Sequence, residues 1–168
     1  MKNASAYAKK LDTLLRKIKK QFNPDTPPQR DPITQMVLGF LEWNATIRGA
    51  EQVHNQLMAV MVDNNDLRVS HIGEIVNIIG ADYPRVHERC ARMHDALQEI
   101  FIREHALSLD RVGAKQKKDI RVYLDSLPGM TPYVAAQTML LAFGANAIPV
   151  DDNLLEAMVR DGVVEETA

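Results

Sequence analysis

The sequence predicts an all-α fold of about seven or eight helices, and three observations predict it. Apolar residues recur at i, i+3, i+4 and i+7 through most of the chain, the spacing of one helix face. No segment alternates apolar and polar residues as a half-buried strand would, and there are no repeats or low-complexity tracts. Pro, Gly, Asp and Thr fall at the breaks between the apolar stripes, where helices are capped and stopped.

In order, residues 1–22 read as a basic amphipathic helix. Leu11, Leu14, Leu15, Ile18 and Phe22 share one face, and Lys9, Lys10, Arg16, Lys17, Lys19 and Lys20 are opposed only by Asp12. A solvated charged face explains those cations more simply than contact with a polyanion. Residues 23–31 are a proline-rich connector, the clearest internal boundary, and the main helical domain is residues 31–168. Asp31-Pro32 opens the next helix with an acidic cap and Pro at its first position; Ile33, Met36, Val37, Phe40 and Leu41 form its stripe. That helix runs into Trp43-Asn44-Ala45-Thr46, and Trp43 reads as a core residue.

A helix over Arg48 to Val62 turns Val53, Leu57, Val60 and Met61 inward, and Asp63 to Asp66 reads as a turn. Ser70 is expected to cap a short helix ending at Gly80, and a long helix follows from about Pro84 to His105. Ser108 to Ala114 reads as a loop. His87, Cys90 and His94 could share a face of the long helix, but a rigid helix seldom offers three ligands to one tetrahedral ion, and Cys90 reads as a core residue.

Residues 120–153 organise the rest. Pro128-Gly129 ends one helix, and Thr131-Pro132 starts the next with Thr as cap and Pro where a missing N–H costs nothing. A turn this tight aims backbone N–H groups and a helix N-terminus at one point, a natural phosphate site. Five cations, Arg111, Lys115, Lys117, Lys118 and Arg121, precede it against Asp110 and Asp119. After Val150 acids dominate, with Asp151, Asp152, Glu156, Asp161, Glu165 and Glu166 against Arg160.

Leu127-Pro128-Gly129-Met130-Thr131-Pro132-Tyr133-Val134-Ala135, followed downstream by Val150-Asp151, resembles the helix-hairpin-helix DNA glycosylases, the endonuclease III superfamily. There the pattern runs roughly L-P-G-V-G-x-K-T-A and ends in V-D-T-H. The resemblance covers about residues 31–163 and implies base-excision repair of double-stranded DNA carrying a damaged or mismatched base. It also implies an N-terminal helix packed beside the C-terminal helices. Pro128, Gly129, Met130 and Thr131 would hold a DNA phosphate, where a monovalent cation could also bind, with Lys117 and Lys118 adding charge nearby. Asn44-Ala45-Thr46 is similar to the family's Q-A-T tail, whose amide fills the gap left by an extruded base; an ordinary helix end is the alternative.

Asp151 matches the family's catalytic Asp. Cleaving an N-glycosidic bond builds oxocarbenium character on the sugar, which a nearby carboxylate stabilises while steering water to C1′. Asp151 would equally serve as a helix cap.

The departures are specific. Tyr133 stands where lyase-active members carry the Schiff-base Lys, so the resemblance implies a monofunctional, hydrolytic glycosylase. Thr131 replaces the second hairpin glycine, and Glu156 replaces the family's Arg one turn after the Asp. A single cysteine rules out the four-cysteine iron–sulfur cluster of many members and implies a reducing compartment. The family also continues with helices that wall one side of the cleft, and most of that C-terminal segment has no counterpart here. A catalytically inactive DNA-binding module and a helical protein-interaction domain are the competing readings.

Composition is that of an ordinary globule, 168 residues with 46% hydrophobic and 25% charged. The longest clean apolar run, Met139 to Phe143, is too short to span a membrane, and no apolar stretch follows the first lysines. The expected location is cytoplasmic, on the nucleoid in a bacterium. A net charge of −2 means that any affinity for a polyanion must be local.

Overall fold

The computed structural model describes residues 4–22 and 27–165. Residues 1–3 of the N-terminal segment, residues 23–26 of the connector and Glu166 lie outside them. The chain divides into two compact units, one of Gln29–Pro149 and one of Met1–Pro28 with Val150–Ala168.

The described residues form ten helices and no strand. They are α1 (Ala4–Gln21), α2 (Pro32–Glu42), α3 (Ile47–Val60), α4 (Asn64–Val69), α5 (Ile72–Ile79), α6 (Val86–Glu104), α7 (Asp110–Gly113), α8 (Lys117–Asp125), α9 (Pro132–Leu141) and α10 (Asp152–Arg160). The all-α expectation holds, but the count exceeds seven or eight. The additions are α4, 6 residues, and α7, 4 residues, where the sequence reads as turn and loop. Helices this short carry too few apolar positions to show a period. Caps and burial make α4: Asp63 Oδ1 accepts from Asn65 N at 2.7 Å and Asp66 N at 3.0 Å, and Leu67 is fully buried beneath it.

That extra helix shifts a cap. Ser70 closes α4, its hydroxyl donating to Asp66 O at 2.8 Å, and His71 caps α5. His71 Nδ1 accepts from Gly73 N at 3.3 Å while Glu74 accepts from His71 N at 3.2 Å, an imidazole version of the capping box. Val60, expected inward, is 68% exposed. The long helix begins at Val86, two residues after Pro84, because Arg85 takes a left-handed conformation.

In the larger unit α2 is the central helix. Met36, Val37, Leu38, Phe40 and Leu41 have no exposed surface, and α2 packs on α3, α6 and α9. A helix apolar on nearly all faces is a core helix, and each such side chain contributes about 1.5–3 kcal/mol. Its closest neighbour is α9: a Cβ on Gly39 would stand 2.4 Å from Gln137 Oε1 and 3.3 Å from Val134 Cγ1.

A helix buried this deeply leaves its last carbonyls inside the protein, where each needs a donor. Arg89 of α6, fully buried, supplies them. Its guanidinium donates to Phe40 O, to Leu41 O at 2.9 Å and to Trp43 O at 2.7 Å. It also holds Pro84 O from Nε at 3.2 Å and Nη2 at 3.0 Å, and Tyr83 Oη donates to Leu41 O at 2.8 Å. The C-terminal end of α2 is the negative end of its dipole, so the cation is compensated without a carboxylate partner. Burial still pushes the Arg89 pKa down from its ordinary value.

In the smaller unit Tyr7 Oη of α1 donates to Glu165, beyond the end of α10, and Val163 is buried. No helix among the described residues is long and apolar enough to cross a membrane.

Replacing Arg89 with Met preserves much of the volume and strands these carbonyls. Urea denaturation should show a loss of about 3 kcal/mol, the scale of breaking a buried, hydrogen-bonded charge.

Candidate nucleic-acid interface

The turn between α8 and α9 is built as the sequence predicts. Met130 N donates to Leu127 O at 3.2 Å, and Thr131 Oγ1 caps α9 by accepting from Val134 N at 3.2 Å, with Pro132 in its first turn. Pro128 and Pro132 are exposed, while Gly129, Met130 and Tyr133 are half-buried. Gly129 is required twice over. Its φ of +75° lies in the left-handed region, and a Cβ there would stand 2.4 Å from Arg92 O and 2.7 Å from Arg92 Cα. The turn is thus seated on the backbone of α6. Arg92 Nη1 also reaches Gly129 O at 3.4 Å.

The same Arg92 serves the end of α2. Its guanidinium lies 5.4 Å from the centroid of the Trp43 ring, and that of Arg85 lies 5.3 Å away. Trp43 is only half-buried, packed against the core with part of its ring under the two arginines. Asn44 follows with φ of +53°, a conformation Asn tolerates, and Thr46 Oγ1 caps α3 by accepting from Gly49 N at 3.1 Å. The candidate wedge and the hairpin turn, 84 residues apart in sequence (44 to 128), are therefore linked through Arg92. Sequence reasoning missed Arg85 and Arg92, since isolated arginines on a mixed-charge helix carry no spacing signal.

Arg85 is costly where it stands. With φ of +51° it precedes α6 and makes no side-chain cap hydrogen bond. The left-handed backbone costs an Arg about 1–2 kcal/mol, and a cation at a helix N-terminus about 0.3–1 kcal/mol. An exposed cation–π contact returns only about 0.5–1 kcal/mol.

Lys117 and Lys118 are not at the turn. They open α8, and at about 1.5 Å rise per residue the helix carries them about 12–15 Å from Pro128. Lys117 Nζ donates to Phe143 O just beyond the C-terminal end of α9. With Arg121, Met139 and residues 144–147, these lysines line an open cavity of about 470 Å³. Arg121 pairs with Asp125 at 2.6 Å.

Behind the turn, Gln137 stands four residues after Tyr133 on α9, the same face one turn on. It donates to Glu42 at the end of α2. Both are buried, at 3% and 7% exposure. Desolvation raises the Glu42 pKa; the Gln137 hydrogen bond opposes that, Glu51 adds to it, and Arg30 opposes it.

Asp151 belongs to the other unit. It is the N-cap of α10, its Oδ1 accepting from Leu154 N at 2.9 Å, so the capping role is present. No cluster of three or more His, Cys, Asp and Glu side chains among the described residues could hold a metal. Cys90 is fully buried, and burial pushes its thiol up to about 11, as for a core residue. At the turn, Leu127 O and Gly129 O already receive Met130 N and the Arg92 guanidinium. Each of these carbonyls keeps a second lone pair beyond the bond it accepts.

No family profile matches the chain, and no curated protein sequence does. Its structure is similar to that of an 8-oxoguanine glycosylase/lyase from Clostridium acetobutylicum in the apo form. The TM-score is 0.64 at 16% identity, over 83% of this chain and 52% of that one. The same enzyme bound to dsDNA containing cytosine opposite 8-oxoG gives 0.64 at 17% identity, over 83% and 51%. A thermostable thymine-DNA glycosylase gives 0.61 at 22% identity, over 91% of this chain and 68% of that one. The fold is thus shared with these glycosylase structures. The chain spans about half the length of the Clostridium enzyme.

Two outcomes follow from this packing. Gly129→Ala should destabilise the protein by about 2–4 kcal/mol, read as a fall in urea midpoint, because strain and a backbone clash add. Glu42→Gln should be more stable than wild type at pH 7. A raised carboxyl pKa stabilises the fold fully below the unfolded value, 4.5, and that contribution is lost as pH rises through the folded value. The gap between variant and wild type should therefore close as pH falls toward 4.5, checked by urea melts across that range.

Proposed function

We propose that the chain acts on double-stranded DNA in base excision, hydrolysing the N-glycosidic bond of a damaged or mismatched base without lyase chemistry. The observation that carries the reading is a hairpin turn of the glycosylase type, in a glycosylase fold, followed by Val150-Asp151 at the family's spacing. In this reading the 128–131 turn grips a phosphate, and Asn44 enters the stack where a nucleotide has been extruded. Asp151 stabilises the positive charge on the sugar and directs water to C1′, the base departing with the bond's electron pair. Tyr133 offers no amine, so no Schiff base forms and the abasic strand stays intact. Lys117 and Lys118 add to the local positive field from the far end of α8. The protein would work in the cytoplasm, on the nucleoid if the cell is bacterial.

One observation favours a second reading, a catalytically silent DNA-binding module: Asp151 already has a structural duty as the cap of α10.

A single-turnover assay on end-labelled duplexes bearing a panel of damaged or mismatched bases separates them. Strand breaks that appear only after hot alkali, and fall at least about 100-fold in Asp151→Asn, are expected of the hydrolase. Breaks without alkali would overturn the non-lyase mechanism. Binding without product on any lesion would establish the silent module.

A further inference from the structure

We infer that the cavity between the first turns of α8 and the 144–147 segment binds a phosphate group, at the opposite end of α8 from the hairpin turn. The inference does not rest on the base-excision reading, because the turn, Asn44 and Asp151 take no part in lining this cavity.

The cavity holds about 470 Å³, room for a phosphate and part of whatever it is esterified to. Lys117, Lys118 and Arg121 converge on it from α8, and Asn146 from the loop that follows α9. The same loop contributes Gly144, Ala145 and Ala147, whose small side chains leave the space open. Among the described residues no acid lines it.

The three cations are crowded. Lys117 and Arg121 are four residues apart and Lys118 and Arg121 three, spacings at which like charges on a helix repel. Both lysines also stand at the positive end of the α8 dipole, where an anion is favoured. Two of the cations are fixed by the fold. Lys117 Nζ donates to Phe143 O, which moors that ammonium to the segment beyond α9. Arg121 Nε donates to Asp125 at 2.6 Å, one turn further along α8 and outside the cavity. These bonds give Lys117 and Arg121 structural partners, and they hold both at the cavity wall beside Lys118. Asp119, the acid next to Lys118 in sequence, is exposed and does not line the cavity.

A phosphate suits this set better than a carboxylate does. A phosphate monoester brings about −1.5 to −2 charge and three acceptor oxygens. The guanidinium offers a planar fork to such oxygens, and each ammonium a mobile point charge. Asn146 carries an amide donor to the same space.

The test uses the full chain and two probes, inorganic phosphate and a duplex oligonucleotide. Backbone amide NMR follows each titration at constant ionic strength, with chloride as the control anion. Expected are saturable shifts at Lys118, Asn146 and Ala147. Lys118→Gln should keep the wild-type melting temperature and weaken the response about 3–10-fold, and Lys118→Arg should restore part of it. A response to inorganic phosphate without duplex assigns the site to free phosphate or a small phosphoester. A response to duplex, with the slope of log K against log salt falling by about 0.9 in Lys118→Gln, assigns it to a DNA backbone phosphate. Silence at these amides with both probes, or a response that Lys118→Gln leaves unchanged, overturns the inference. If duplex then still shifts the 128–131 amides, the DNA-binding reading stands without it.

Discussion

The larger unit depends on how the C-terminal end of α2 is finished. Nearly every face of this helix is buried, so water cannot reach its last carbonyls, and one buried guanidinium supplies the donors instead. Arg89 gathers Phe40, Leu41, Trp43 and Pro84 carbonyls around a single charge. That arrangement ties α6 to α2 and fixes where the chain leaves the core. The segment Trp43-Asn44-Ala45-Thr46 inherits its position from this cap.

The hairpin turn is held by a different device on the same helix. Gly129 lies against the α6 backbone at Arg92, closer than any side chain would permit. From the N-terminal half of α6, then, Arg89 organises one half of the candidate interface and Arg92 seats the other. Arg89 and Arg92 bridge elements here through carbonyls and an aromatic face. The Arg89 hydrogen bonds are directional and close, so they transmit position well.

Much of the local structure was legible from residues 31–46 and 127–135. Asp31-Pro32 and Thr131-Pro132 are caps whose geometry is settled within a few residues, and both form as their chemistry dictates. Gly80 ends its helix for the same reason. Ser70 was misread because a one-turn difference in where α4 ends hands the cap to His71. Val60 was misread because a stripe gives a face, while how far the neighbouring helix extends along it is a tertiary matter. The lysines of α8 were placed with the hairpin because they are near it in sequence; a helix axis carries them away.

The sequence by itself determined an all-helical chain, the caps and stops of its main helices, and the tight turn between α8 and α9. Those are properties of short windows, where backbone sterics and hydrogen bonding act over three or four residues. Only the tertiary structure decided that Arg89 is buried and that Glu42 meets Gln137. It alone showed that Arg92 unites two sites 84 residues apart (44 to 128). An arginine on a helix looks the same in sequence whether it faces water or ends another helix. The difference lies in which carbonyls the packing leaves without a donor.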